Sequence, residues 1–128
     1  MKHHVLVLDD EADVRSAIRL QLESTRFEIL EAENVDQAID LLTDNAISID
    51  VIVCDVRMPG ASGIEAVEIF QREFPTTPVI VLTGFPDVDL SVDFMKQKDV
   101  VDFLTKPVEK EKLIASVEQA AQGRKLFD

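Results

Sequence analysis

The sequence of 128 residues holds one cysteine, four glycines and five prolines, and no apolar run in it nears the roughly 18 residues that a membrane-spanning helix needs. A lone thiol, Cys54, excludes an internal disulfide framework and fits a reducing compartment. So little glycine and proline, with no repeat or low-complexity tract, excludes collagenous and disordered classes. Basic residues are also scarce: 13 Lys and Arg face 25 Asp and Glu, a formal charge of −12. That balance argues against a nucleic-acid backbone or an anionic membrane as a direct ligand. Met1-Lys2-His3-His4 leads into a four-residue apolar run too short for a signal-peptide core, so cytoplasmic residence is the expectation.

Apolar residues make up 46% of the chain, consistent with a single soluble globular domain. A chain of this size buries about two-thirds of its unfolded surface. Its stability therefore requires no metal, and a metal must be explained by chemistry. Val- and Ile-rich runs at Val5–Leu8, Ile49–Cys54, Val79–Leu82 and Val100–Leu104, with a weaker one at Phe27–Leu30, predict strands. Runs apolar at nearly every position suit strands covered on both faces. Stripes at Val14, Ala17, Ile18 and Leu22, at Val35, Ala38, Ile39, Leu42 and Ala46, and at Leu113, Ile114, Val117, Ala120 and Ala121 predict amphipathic helices. Residues 64–74 and 87–97 predict two more, giving five strand–helix pairs in alternation. The pattern implies a three-layer α/β domain with a parallel sheet. Residues 1–122 form that domain and 123–128 begin a connector or tail.

In such a sheet ligands bind beyond the carboxyl ends of the strands. Strand one ends in Asp9-Asp10-Glu11, strand three in Asp55, strand four in Thr83-Gly84, and strand five leads into Thr105-Lys106-Pro107. Among 25 acids a single Asp is ordinarily a solvated surface group. Carboxylates gathered at about 4 Å, however, repel by roughly 1 to 4 kcal/mol, so such a cluster needs a counter-charge. Oxygen-only donors, with no His or Cys side chain among them, suit Mg²⁺. His3 and His4 stand at the opposite end of strand one and read as a tag remnant or a surface pair. Cys54 reads as inert core, since neighbouring strand residues point to opposite faces.

Asp9-Asp10, Asp55 within V-C-D-V-R-M-P-G (53–60), Thr83-Gly84 and D-F-L-T-K-P (102–107) together resemble the receiver domain of bacterial two-component response regulators. The resemblance runs from Val5 to about Gln122. It implies a doubly wound sheet in the order 2-1-3-4-5. It also implies that Asp55 is a phosphoacceptor nucleophile for a phosphohistidine of a sensor histidine kinase. By the same resemblance Asp10, Asp55 and the backbone carbonyl of Arg57 hold Mg²⁺, and Asp9 acts through water. Lys106 supplies positive charge, the Thr83 hydroxyl and the Gly84 N–H donate hydrogen bonds, and Gly84 and Phe85 govern access to the phosphoryl group. Pro107 matches a Lys-Pro bond that is typically cis in the family. Taken alone, Thr83 reads as a turn cap, Lys106 as an exposed lysine, and Met58-Pro59-Gly60 as a structural turn.

Thr83 and the aromatic Phe103 match the family's switch pair, Phe103 being otherwise an ordinary core residue. Val88, Ser91, Val92 and Met95 fall within about 60° of the helical wheel. Leu90 and Phe94 then point outward as interface candidates for a homodimer or output contact formed on phosphorylation, unless a neighbouring loop buries them. The stretch 83–107 is most similar to receivers of nitrogen-fixation and nitrogen-assimilation regulators. By analogy an effector domain, DNA-binding in those regulators, lies beyond residue 128. The chain departs from the family in Asp99-Val100, where Gly-Ala is common, and in Val108, where Phe is common. On this reading the domain catalyses only its own phosphorylation and dephosphorylation. A phosphohydrolase of haloacid dehalogenase type would need Asp-x-Asp after strand one, where Asp9-Asp10-Glu11 stands. A flavodoxin-like nucleotide binder would need a Gly- or Ser-rich loop there, and three acids would repel its phosphate. A degenerate, unphosphorylated receiver is the remaining alternative.

Overall fold

Strands apolar at every position bury both faces here, and that double burial sets the layers. The computed structural model describes residues 3–23, 26–45, 48–55, 63–83, 100–106 and 108–123. In chain order they form β1 (His3–Leu8), α1 (Ala12–Leu22), β2 (Phe27–Ala32), α2 (Val35–Asn45), β3 (Ile49–Asp55), α3 (Gly63–Glu73), β4 (Val79–Thr83), β5 (Asp102–Thr105) and α4 (Lys110–Gly123). The strands make one parallel sheet in the order β2-β1-β3-β4-β5, as the family resemblance implies.

Alternate side chains of each strand go to opposite layers. Leu6, Leu8, Ile52, Cys54, Val79 and Val81 pack with Ala38 and Leu42 of α2 and Ala66, Val67 and Phe70 of α3. Val5, Val7, Val51, Val53, Ile80 and Leu82 pack with Ile18 and Leu22 of α1 and Leu113, Val117, Ala120 and Ala121 of α4. Burying one such side chain stabilises the fold by about 1.5–3 kcal/mol, which makes the two layers the main determinant of the sheet. At the start of α2, the Gln37 N–H donates to Asn34 Oδ1 at 2.8 Å and the Glu33 N–H donates to Gln37 Oε1 at 2.9 Å. The first satisfies a donor that the helix start leaves open, and the second ties the preceding residue to the first turn.

Several details differ from the sequence expectation. β5 covers Asp102–Thr105 in place of Val100–Leu104. Val100 is buried as core and the Val101 N–H donates to the Val79 carbonyl at 2.9 Å, but the ladder pairs Ile80 with Asp102 and Thr83 with Thr105. Val100 is thus buried two residues before pairing begins, while the equally apolar Val101 between them is exposed. β2 extends past Leu30 because Glu31 and Ala32 pair with Val7 and Leu8. Ala17 of the first stripe is exposed on α1, while Ile18 and Leu22 are buried. His3 and His4, both half-buried, open β1. The His4 N–H donates to Asp50 Oδ2 at 2.9 Å, and His4 Nε2 lies 3.1 Å from Glu28 Oε2.

Candidate functional site

The strand order reverses between β1 and β3, so the residues leaving those two strands face one crevice at the carboxyl edge. Asp9 follows β1 and Asp55 closes β3. Both are buried, with Asp9 1% and Asp55 3% exposed, while Asp10 is exposed. One carboxylate oxygen from each of Asp9, Asp10 and Asp55 lies within 4.8 Å of the others, the only such group among the described residues. Just past β5, Lys106 closes the cluster: its ammonium donates to Asp9 Oδ2 at 2.8 Å and lies 3.3 Å from Asp55 Oδ2. Burial alone would lower the Lys106 pKa, but the hydrogen bond and charge of Asp9, reinforced by Asp55, hold it above its ordinary value.

The two buried acids owe their positions to the ends of β1 and β3, each in register with a neighbour. The Asp9 N–H donates to the Ala32 carbonyl at 3.2 Å, and Asp55 pairs with Leu82 of β4. Asp9 Oδ1 accepts the Glu11 N–H at 2.9 Å, which tightens the turn between β1 and α1. Cys54, beside Asp55, is fully buried, donates to the Asp55 carbonyl at 3.4 Å, and points into the α2/α3 layer. Burial, with the charges of Asp55 and Asp9, pushes its thiol far up, in keeping with an inert core residue.

The donor set is oxygen only, with two buried carboxylates against one ammonium, so negative charge remains for a hard divalent cation. In an octahedron at about 2.1 Å, opposite oxygens stand about 4.2 Å apart. The 4.8 Å limit on the three acids is slightly wider, and one acid acting through water accommodates it. The residues fit Mg²⁺.

Of the other expected site residues, Thr83 closes β4 in register with Thr105. Phe103 is half-buried against the α2/α3 layer. Arg57, Met58, Pro59, Gly60, Gly84, Phe85, Leu90, Phe94, Asp99 and Pro107 lie outside the described residues, as does the helix expected over 87–97. The sequence reading missed Arg15, Arg19 and Glu31. Arg15 Nη1 donates to the Asp9 carbonyl at 2.6 Å and Arg15 Nε to Glu31 Oε1 at 3.1 Å. Arg19 Nε donates to Glu31 Oε2 at 2.7 Å. Arginines at i and i+4 signal a shared helical face, but no sequence spacing links them to Glu31, which the sheet brings in from β2.

A doubly wound sheet of this order, with acids and a lysine converging at its switch point, defines a flavodoxin-like α/β domain. Residues 5–118 match the response regulator receiver domain family, and the chain belongs to it. It is a receiver domain of the two-component response regulators. The transcriptional regulatory protein FixJ of Bradyrhizobium diazoefficiens is 36% identical over 119 residues, covering 93% of this chain and 57% of that protein. The phosphate regulon transcriptional regulatory protein PhoB of Pseudomonas aeruginosa is 35% identical over 113 residues, covering 87% of this chain and 48% of that one. The chain thus spans about half the length of these regulators. A solved receiver domain from Clostridium thermocellum superposes with a TM-score of 0.86 at 32% identity, covering 94% of each chain. Nothing in these likenesses supports the haloacid dehalogenase alternative.

Proposed function

We propose that Asp55 accepts a phosphoryl group from a phosphohistidine of a sensor histidine kinase, in a Mg²⁺-dependent reaction. The observation that carries this reading is the meeting of Asp9, Asp10 and Asp55 within 4.8 Å around a lysine whose ammonium is 3.3 Å from Asp55. A carboxylate oxygen of Asp55 attacks phosphorus, the P–N bond breaks, and the imidazole nitrogen keeps the electron pair. Asp10, Asp55 and the Arg57 carbonyl would hold Mg²⁺, with Asp9 acting through water; the ion supplies charge neutralisation at the phosphoryl oxygens. Asp9 holds the Lys106 ammonium beside the acceptor at 2.8 Å. There it can meet the negative charge of the transferring group. The Thr83 hydroxyl and Gly84 N–H are assigned the remaining oxygens, Phe85 the control of access, and Thr83 with Phe103 the switch, all by the family pattern.

The domain catalyses only its own phosphorylation and dephosphorylation, and acts as a signalling module. Its unit is residues 1–122, with 123–128 beginning a connector. An effector domain beyond the connector, DNA-binding by analogy with the transcriptional regulators it resembles, receives the signal. A Leu90 and Phe94 face mediates dimerisation on phosphorylation, and the protein works in the cytoplasm. Among the described residues no helix is long and apolar enough to cross a membrane. With Mg²⁺ and acetyl phosphate, the wild-type chain gains one phosphoryl group by intact mass and Asp55→Asn gains none. Equal labelling of the variant overturns the assignment.

A further inference from the structure

We infer that Arg15, anchored by Glu31 of the neighbouring strand, is a positioning residue for the acidic cluster: it sets the affinity of the site for a divalent cation by clamping the backbone of Asp9. This inference rests on the Mg²⁺ site proposed above. Asp9, Asp10 and Glu11 are three consecutive acids on one turn, and their mutual repulsion favours opening it. The turn is held at its carbonyl by the Arg15 guanidinium, at 2.6 Å from the Asp9 oxygen. A charged donor on a backbone carbonyl is among the stronger hydrogen bonds. Arg15 is partly buried, with its side chain 14% exposed, and its Nε is fixed by Glu31 Oε1 at 3.1 Å.

Glu31 is itself held by Arg19, which also donates to the Ile29 carbonyl at 3.3 Å. The clamp therefore runs from the β2 edge strand, through one carboxylate and one guanidinium, to the turn that carries two of the three cluster acids. Neither Arg15 nor Glu31 belongs to the acid group itself. The planar fork of arginine is what allows one side chain to serve both acceptors; a lysine ammonium, a point charge, lacks that geometry.

For Arg15, charge and position predict opposite signs, which makes the inference testable. If Arg15 acted only through its charge, removing it would tighten Mg²⁺ binding to the acids, and removing the Glu31 charge would weaken it. As a positioning pair, both losses weaken binding. The experiment is a titration of the 128-residue chain with Mg²⁺ alone, followed by backbone amide shifts in ¹⁵N spectra that also report an intact fold. Arg15→Gln is expected to weaken Mg²⁺ about tenfold, in line with residues that orient metal ligands. Glu31→Gln is expected to weaken it in the same direction, and the double variant to be no weaker than Arg15→Gln, because Glu31 acts through Arg15. Arg15→Lys keeps the charge and tests the same point should Arg15→Gln fail to fold; it too is expected to bind more weakly. Tighter or unchanged binding in Arg15→Gln, or wild-type binding in Arg15→Lys, overturns the positioning role while leaving the cation site intact. A wild-type chain that binds no Mg²⁺ overturns the site and the clamp together.

Discussion

Lys106 stands between two buried carboxylates, and its ammonium is the counter-charge that lets Asp9 and Asp55 share one crevice. Its side chain is 19% exposed, so removing it leaves two acids shielded from water and facing each other. Lys106→Met is therefore expected to lose about 2 kcal/mol of stability at neutral pH, below the full cost of breaking a wholly buried pair because solvent reaches the lysine. Urea unfolding measures it. Added Mg²⁺ is expected to restore more stability to this variant than to wild type, since a ligand of the folded state stabilises it by mass action and the variant has more repulsion to relieve. Equal Mg²⁺ stabilisation of the two proteins would contradict that account.

α1 is joined to β2 by the Arg15–Glu31–Arg19 network and to α4 through their shared apolar layer. Burial pushes the Glu31 carboxyl up, but hydrogen bonds and charge from Arg19 and Arg15 outweigh it and hold the carboxyl below its ordinary range. A depressed carboxylate contributes stability that is complete above its unfolded pKa, near 4, and is lost as pH falls through the lower folded value. Glu31→Gln should cost about 1 kcal/mol at pH 7, an amount reduced by partial exposure of the pair. The difference from wild type should close below about pH 4. Thermal unfolding of both proteins from pH 3 to 7 checks it, and a pH-independent difference would assign the loss to packing. On the other layer, Phe70 of α3 is fully buried against the sheet, and Phe70→Ala should cost about 4 kcal/mol, read by denaturant midpoint.

The molecule as a whole carries −12, and part of its acidic excess is gathered at the carboxyl edge of the sheet. Self-repulsion of that size favours expansion, and salt screens it over about 10 Å at 0.1 M. Raising NaCl from 10 to 200 mM is therefore expected to raise the midpoint of thermal unfolding, with Mg²⁺ achieving the same at far lower concentration if it binds the proposed site. Both effects can be followed by circular dichroism, and Mg²⁺ no more effective than NaCl at equal ionic strength would argue against a site.

The layering was legible in the chain because a strand buried on both faces must be apolar throughout, as Val5–Leu8 and Val51–Cys54 are. Asp9 and Asp55 were legible because each directly follows such an apolar run, and Lys106 because it follows the last strand; a parallel sheet brings those ends to one edge. Register was not: Val100 is as apolar as any strand residue, yet the ladder starts at Asp102, since pairing is decided by neighbouring strands and not by burial. Nor was Glu31, an ordinary acid in an edge strand until the sheet sets it beside Arg15 and Arg19, 16 and 12 residues away. Periodicity and strand-end chemistry are local properties of a chain and can be read along it. Which carbonyl an arginine reaches, and which carboxylate anchors it, depends on distances that exist only after β1, β2 and α1 have packed.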